Sequence, residues 1–216
     1  MTASPGQSAL SLFPFLADDE FESGCSALLE HVQATAGPAM PWASIRFQAT
    51  GQILRICQLL SSECRAIPDD ARTRSLDQDS QLENMEEDPE AIIRLTNTQE
   101  LQVEYDILLS PTYQVPVLYF VIRRAEKLLG IDEVYSHLVP DQFRKKIQSV
   151  GIMGGISFGY HPVFGTPAFF VHPCNTAGAM RDISSGEGIG PETYLIIWLG
   201  LVGNCVRLQL PASPPG

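Results

Sequence analysis

The segment Phe170-Val171-His172-Pro173-Cys174-Asn175-Thr176 places a thiol just after an imidazole, with a proline between them. A cysteine thiolate attacks carbonyl carbon, and a neighbouring imidazole can handle a proton or donate to the oxyanion that forms. Residues 166–171, just upstream, are apolar, aromatic and β-branched, which predicts a short buried strand. Pro173 has no backbone donor, so pairing should stop there and Cys174 should lie at the mouth of the fold. In an extended chain His172 and Cys174 point to the same side. Asn175, Thr176 and Gly178 then read as a turn or the start of a helix. The plainer reading of Cys174 is a small buried hydrophobe, and these residues alone leave both open.

Other chemistries fit less well. The glycine-rich run Gly151-Ile152-Met153-Gly154-Gly155 matches neither the dinucleotide fingerprint nor the phosphate loop, and reads as turns. Zinc would need two ligands beyond His172 and Cys174, and His161 and Cys205 have no diagnostic spacing. No metal and no organic cofactor is expected. A cysteine protease stays open as a minor reading, with His161 or His137 as its base. Tyr119 alternates with Val117 and Val121 and reads as sheet packing. Tyr113, beside Pro111 at an expected strand start, is a half-buried aromatic or a phenol reaching a neighbouring site.

Composition bounds the answer. The 216 residues suffice for one sizeable domain, and 44% apolar with 18% charged residues describe an ordinary soluble protein. A formal net charge of −11 argues against nucleic acid as the main partner. The five cysteines, Cys25, Cys57, Cys64, Cys174 and Cys205, are scattered without a C-x-x-C pair, as expected in a reducing compartment. The first residues lack the pattern of a signal peptide, and the most apolar run, 194–206, is too short to span a bilayer. A cytosolic protein is expected.

These elements must position the thiol. Residues 17–36 read as a helix buried through Phe21, Cys25, Leu28, Leu29 and Val32. Residues 42–50 and 52–60 read as a hairpin around Gly51. Residues 101–110 and 113–123 read as two further strands turning at Pro111, with Pro116 marking an edge or a bulge. Residues 132–139 and 141–150 read as short helices, 156–160 as a strand, and Pro191 as the start of a final helix carrying Tyr194, Ile197, Trp198 and Leu201 on one face. Residues 61–99 are acidic and nearly free of aromatics, which predicts a mobile insertion rather than packed structure. Residues 1–8 and 211–216 read as loose tails. The order predicts one α+β domain with an antiparallel four-stranded meander flanked by helices.

Three segments together, Tyr113-Gln114-Val115-Pro116-Val117-Leu118-Tyr119-Phe120, His161-Pro162 and Phe169-Phe170-Val171-His172-Pro173-Cys174, resemble one family. It is the family of E2-like conjugating enzymes known as autophagy-related protein ten. The likeness covers residues 17–206 apart from the acidic insertion. The sibling enzyme, autophagy-related protein three, shares His-Pro-Cys, but Asn175-Thr176-Ala177 and the upstream tyrosine-rich run favour protein ten. The resemblance implies a ubiquitin-conjugating core without cofactor. It implies that autophagy-related protein twelve, a ubiquitin-like protein, arrives from the activating enzyme autophagy-related protein seven. It would be held as a thioester on Cys174 and passed to a lysine of autophagy-related protein five.

Ordinary ubiquitin-conjugating enzymes carry His-Pro-Asn shortly before the cysteine. Here His161-Pro162 is followed by Val163 at a longer spacing, so the supporting role of that Asn falls to His172, Tyr113 or Asn175. A lipid-conjugating enzyme of the protein-three type and a non-catalytic scaffold of the same fold are the alternatives. The implied setting is cytoplasmic, with recruitment to autophagosome assembly sites.

Overall fold

A computed structural model of the protein describes residues 9–35, 40–61, 100–150, 155–184 and 189–210. Helix α1 (Asp18–Thr35) is followed by the strands β1 (Ser44–Gln48), β2 (Ile53–Ser61), β3 (Glu100–Leu109) and β4 (Pro116–Arg124). Strand β5 (Lys127–Leu128) folds back on β4. Helices α2 (Ile131–His137) and α3 (Asp141–Val150) precede the hairpin of β6 (Ile156–Tyr160) and β7 (Pro167–Val171). A 3-10 turn, Pro173–Asn175, leads into α4 (Thr176–Ile183), and α5 (Pro191–Val202) with a last 3-10 turn, Gly203–Val206, ends the described chain.

The expected α+β class and the four-stranded antiparallel meander are both present, and the β6–β7 hairpin widens the sheet to the order β1-β2-β3-β4-β7-β6. Local chemistry accounts for the elements. Glu20 accepts the backbone N–H of Ala17 at 2.9 Å and of Ser11 at 2.7 Å, closing the first turn of α1 and pinning the segment before it. Phe21, Cys25, Leu28 and Val32 are buried at helical spacing, as expected. The β1–β2 turn carries Gly51 at φ 88°, where a side chain would be strained.

Strand alternation then sorts the sheet into two faces. Ile56, Tyr105, Phe120 and Phe169 form one cross-strand row, all buried under the helices. The next row, Arg55, Asp106, Tyr119 and Phe170, lies on the opposite, open face. Helix α1 packs along α5, and Phe21, Leu28, Tyr194, Leu195, Trp198 and Leu199 fill the core between the helices and the sheet. The buried phenols of Tyr105 and Tyr194 donate to the carbonyls of Val206 at 2.8 Å and Pro14 at 2.7 Å. Burial pushes both phenols well above the ordinary tyrosine range.

Three expectations are corrected. Pro116 marks neither an edge nor a bulge: it opens the interior strand β4, opposite Leu109, where β7 does not pair and no donor is needed. The buried face of α5 centres on Tyr194, Leu195, Trp198 and Leu199, and Ile197 and Leu201 are only partly buried. Ser61 closes β2 opposite Glu100, so it belongs to the sheet and not to the insertion. Residues 62–99, Cys64, and the tails 1–8 and 211–216 lie outside the described residues. Among the described residues no helix is long and apolar enough to cross a membrane.

Candidate active site

Strand β7 ends at Val171, and one more backbone bond, from His172 N–H to the Gly155 carbonyl at 3.1 Å, extends the ladder. Pro173 cannot continue it. His172 has φ −66° and ψ 127°, the extended conformation imposed on a residue before proline. The chain then coils through Pro173–Asn175 into α4. The expectation of an extended run that carries His172 and Cys174 to one side is therefore corrected. The turn itself joins them: the Cys174 N–H donates to Nδ1 of His172 at 3.2 Å.

That bond fixes the chemistry of the imidazole. With Nδ1 accepting, the neutral ring carries its hydrogen on Nε2, so its other nitrogen is a donor. A donor beside a thioester suits a developing oxyanion better than it suits removal of a proton from an amine. Cys174 is half-buried and lies in the 3-10 turn just before Asn175, the N-cap of α4.

Tyr113 is not at a strand start. It sits in the β3–β4 turn, where its N–H donates to Ser110 Oγ at 3.2 Å. That turn is closed by Ser110 N–H to the Val115 carbonyl at 3.0 Å and Gln114 N–H to the Ser110 carbonyl at 2.8 Å. The position serves the site: the Tyr113 ring, 41% exposed, meets the His172 imidazole edge-on, with centroids 5.7 Å apart. The structure thus brings Tyr113, His172 and Cys174 together. Asn175 is exposed, and its side chain makes no hydrogen bond to α4.

The other candidates lie elsewhere. His161 is buried on the open face, its Nδ1 accepting the N–H groups of Val163 and Phe164 at 3.3 Å each. Its Nε2 lies 3.3 Å from Asp106 Oδ2, and Arg55 grips that carboxylate through Nε at 2.7 Å and Nη2 at 2.6 Å. Burial alone would raise the Asp106 carboxyl, but Arg55 and His161 together outweigh it and hold it below the usual carboxylate range. Tyr119 and Phe170 stand between His161 and His172 in a continuous row of ring contacts. His137 lies 3.5 Å from Arg124, at the end of β4 remote from Tyr113. Neither histidine is placed to act on Cys174 as a protease base.

Cys25 is fully buried, and burial with the nearby Glu22 pushes its thiol up to about 12. A cavity of about 430 Å³ opens beside Arg55, Asp106, Tyr119 and His161, and Cys174 does not line it. A half-exposed thiol outside that cavity is open to a macromolecular substrate. Phe170, which packs on His172, was missed in the sequence. Its signal was available, because it precedes His172 by one strand period.

Residues 20–213 match the family described as autophagocytosis associated protein, active-site domain. The ubiquitin-like-conjugating enzyme ATG10 of Gibberella zeae is 42% identical over 134 residues, covering 60% of this chain and 55% of that protein. The ATG10 of Homo sapiens is 27% identical over 208 residues, covering 92% of each. The solved structure of the autophagic E2 Atg10 superposes with a TM-score of 0.51 at 13% identity, covering 90% of this chain and 99% of that one, a likeness of fold. The chain belongs to the autophagocytosis-associated active-site family, and the relatives it resembles there are ubiquitin-like-conjugating enzymes named ATG10.

Proposed function

We propose that the protein carries autophagy-related protein twelve as a thioester on Cys174 and delivers it to a lysine of autophagy-related protein five. In loading, the Cys174 thiolate adds to the thioester carbonyl on the activating enzyme, autophagy-related protein seven, whose own thiolate leaves. In transfer, the lysine amine adds to the new thioester. The C–S bond breaks, Cys174 departs as thiolate, the amine's proton passes to solvent, and an amide bond remains. His172 Nε2–H and the Tyr113 hydroxyl supply donors to the tetrahedral oxyanion, the part played by Asn in ordinary ubiquitin-conjugating enzymes. The work is cytoplasmic in this reading.

The observation that carries the proposal is the Cys174 N–H bond to His172 Nδ1, which leaves Nε2 as the ring's donor and ties the imidazole to the residue that bears the half-exposed thiol. The test is incubation with activating enzyme, ATP and the ubiquitin-like protein, read on non-reducing gels. Wild type should form a thiol-sensitive adduct. Cys174→Ser should form a thiol-resistant oxyester or none, and should lose transfer. A thiol-sensitive adduct on Cys174→Ser would assign the nucleophile to another cysteine.

A further inference from the structure

In the open row of the sheet Phe170 stands between Tyr119 on β4 and Ser157 on β6, and its ring has neighbours on several sides. Tyr119 packs on it at 5.4 Å between centroids, and His172 at 6.2 Å. On the neighbouring strand β6, Gly159 offers bare backbone to the same ring. A Cβ there would stand 3.2 Å from Cε1 and 3.8 Å from Cδ1 of Phe170. Glycine inside a strand weakens the strand, and a close approach is the usual reason for one. Here the approach is by an aromatic ring.

The His172 imidazole is in turn bounded by three groups. Tyr113 meets it edge-on, the Cys174 N–H holds Nδ1, and Phe170 packs on it. Removing the Phe170 ring would leave a half-exposed imidazole free to leave the rotamer that keeps Nδ1 on the Cys174 amide. A displacement of about 1 Å in a reacting group can cost up to about 10²-fold in rate.

We infer that Phe170, seated on Gly159, is a positioning residue that holds the His172 imidazole for acyl transfer from Cys174. The inference rests on the reading of Cys174 and His172 given above. Phe170 touches neither the amine nor the acyl group; it acts through His172. Phe170→Leu keeps the apolar volume and removes the flat ring, and Gly159→Ala pushes the ring from its seat on another strand.

The experiment is single-turnover discharge of preloaded enzyme onto free L-lysine, an amine that needs no docking surface. Loading by the activating enzyme is measured alongside and shows that each variant is folded. Phe170→Leu and Gly159→Ala should each slow discharge about fivefold or more while loading stays at the wild-type rate, and Phe170→Tyr should restore discharge. The deciding measurement is the double variant. In a His172→Ala background, Phe170→Leu should change discharge by less than about twofold, because its effect passes through the missing imidazole. Equal slowing with and without His172, or wild-type discharge by Phe170→Leu, overturns the inference. If His172→Ala is slow and Phe170→Leu is not, only this inference falls. If His172→Ala discharges at the wild-type rate, the catalytic reading of His172 falls and takes this inference with it.

Discussion

The backbone N–H of Cys174 is bound to Nδ1 of His172, so the main chain of the proposed nucleophile itself orients the imidazole. In the proposed reaction loading depends on the thiol and on docking to the activating enzyme, whereas lysine transfer also needs oxyanion donors. His172→Ala should therefore slow discharge onto the acceptor while loading changes little. Losing one donor from a well-organised site costs roughly 10²–10³ in rate, and this half-exposed site should lose less. Tyr113→Phe removes one hydroxyl and keeps the ring contact with His172, so its effect should be the smaller. Single-turnover discharge of preloaded enzyme measures both, and unchanged rates would return these residues to a purely structural role.

The Asp106 cluster predicts acid sensitivity. Its carboxyl is held low by Arg55 and His161, so the folded-state pKa lies below that of the unfolded chain. The stabilisation is present above the unfolded value, near pH 4, and is lost as pH falls through the folded value. Thermal midpoints measured from pH 6 down to pH 2.5 should show this loss in wild type. Asp106→Asn should be less stable at pH 6 and show a shallower acid slope. A slope identical to wild type would place the acid-labile group elsewhere.

Tyr105→Phe should destabilise the fold by about 1–2 kcal/mol, because it leaves the buried Val206 carbonyl without its donor. Denaturant unfolding monitored by circular dichroism would measure it, and an unchanged midpoint at an unchanged slope would show that the carbonyl finds another partner.

Ser61 and Glu100 face each other in the β2–β3 register. A short linker in place of residues 62–99 can therefore close an ordinary hairpin. Loop-closure entropy varies slowly with length, so the thermal midpoint should stay nearly unchanged. A much lower midpoint would mean that the acidic segment packs on the core.

Particular residues show what the sequence reveals and what it withholds. The spacing of Phe21, Cys25, Leu28 and Val32 announced α1, because helical burial is periodic and local. Gly51 announced its hairpin for the same local reason. The place of Cys174 just beyond a strand end was legible from Pro173, which ends a strand whatever surrounds it. The bond from Cys174 to His172 was not legible, since it depends on the chain coiling where extended geometry was the simpler assumption. Tyr113 was expected at a strand start and lies in the β3–β4 turn, because turn length after Pro111 follows from strand register, a tertiary property. The Arg55–Asp106–His161 cluster was invisible, since its members meet only through cross-strand pairing.

Strand β7 holds to β4 at only two facing pairs, Tyr119 with Phe170 and Phe120 with Phe169, whereas β3 and β4 pair along nine positions from Leu101–Arg124 to Leu109–Pro116. Mechanically Cys174 follows a hairpin clamped at its middle to a stiff plate. Its ladder to the rest of the sheet is this short, so the amides of β6 and β7 should exchange with solvent ahead of those in β3 and β4. In the proposed reaction one thiol meets an activating enzyme and then an acceptor, and such a hairpin gives compliance where those partners would meet it, without loosening the core beneath.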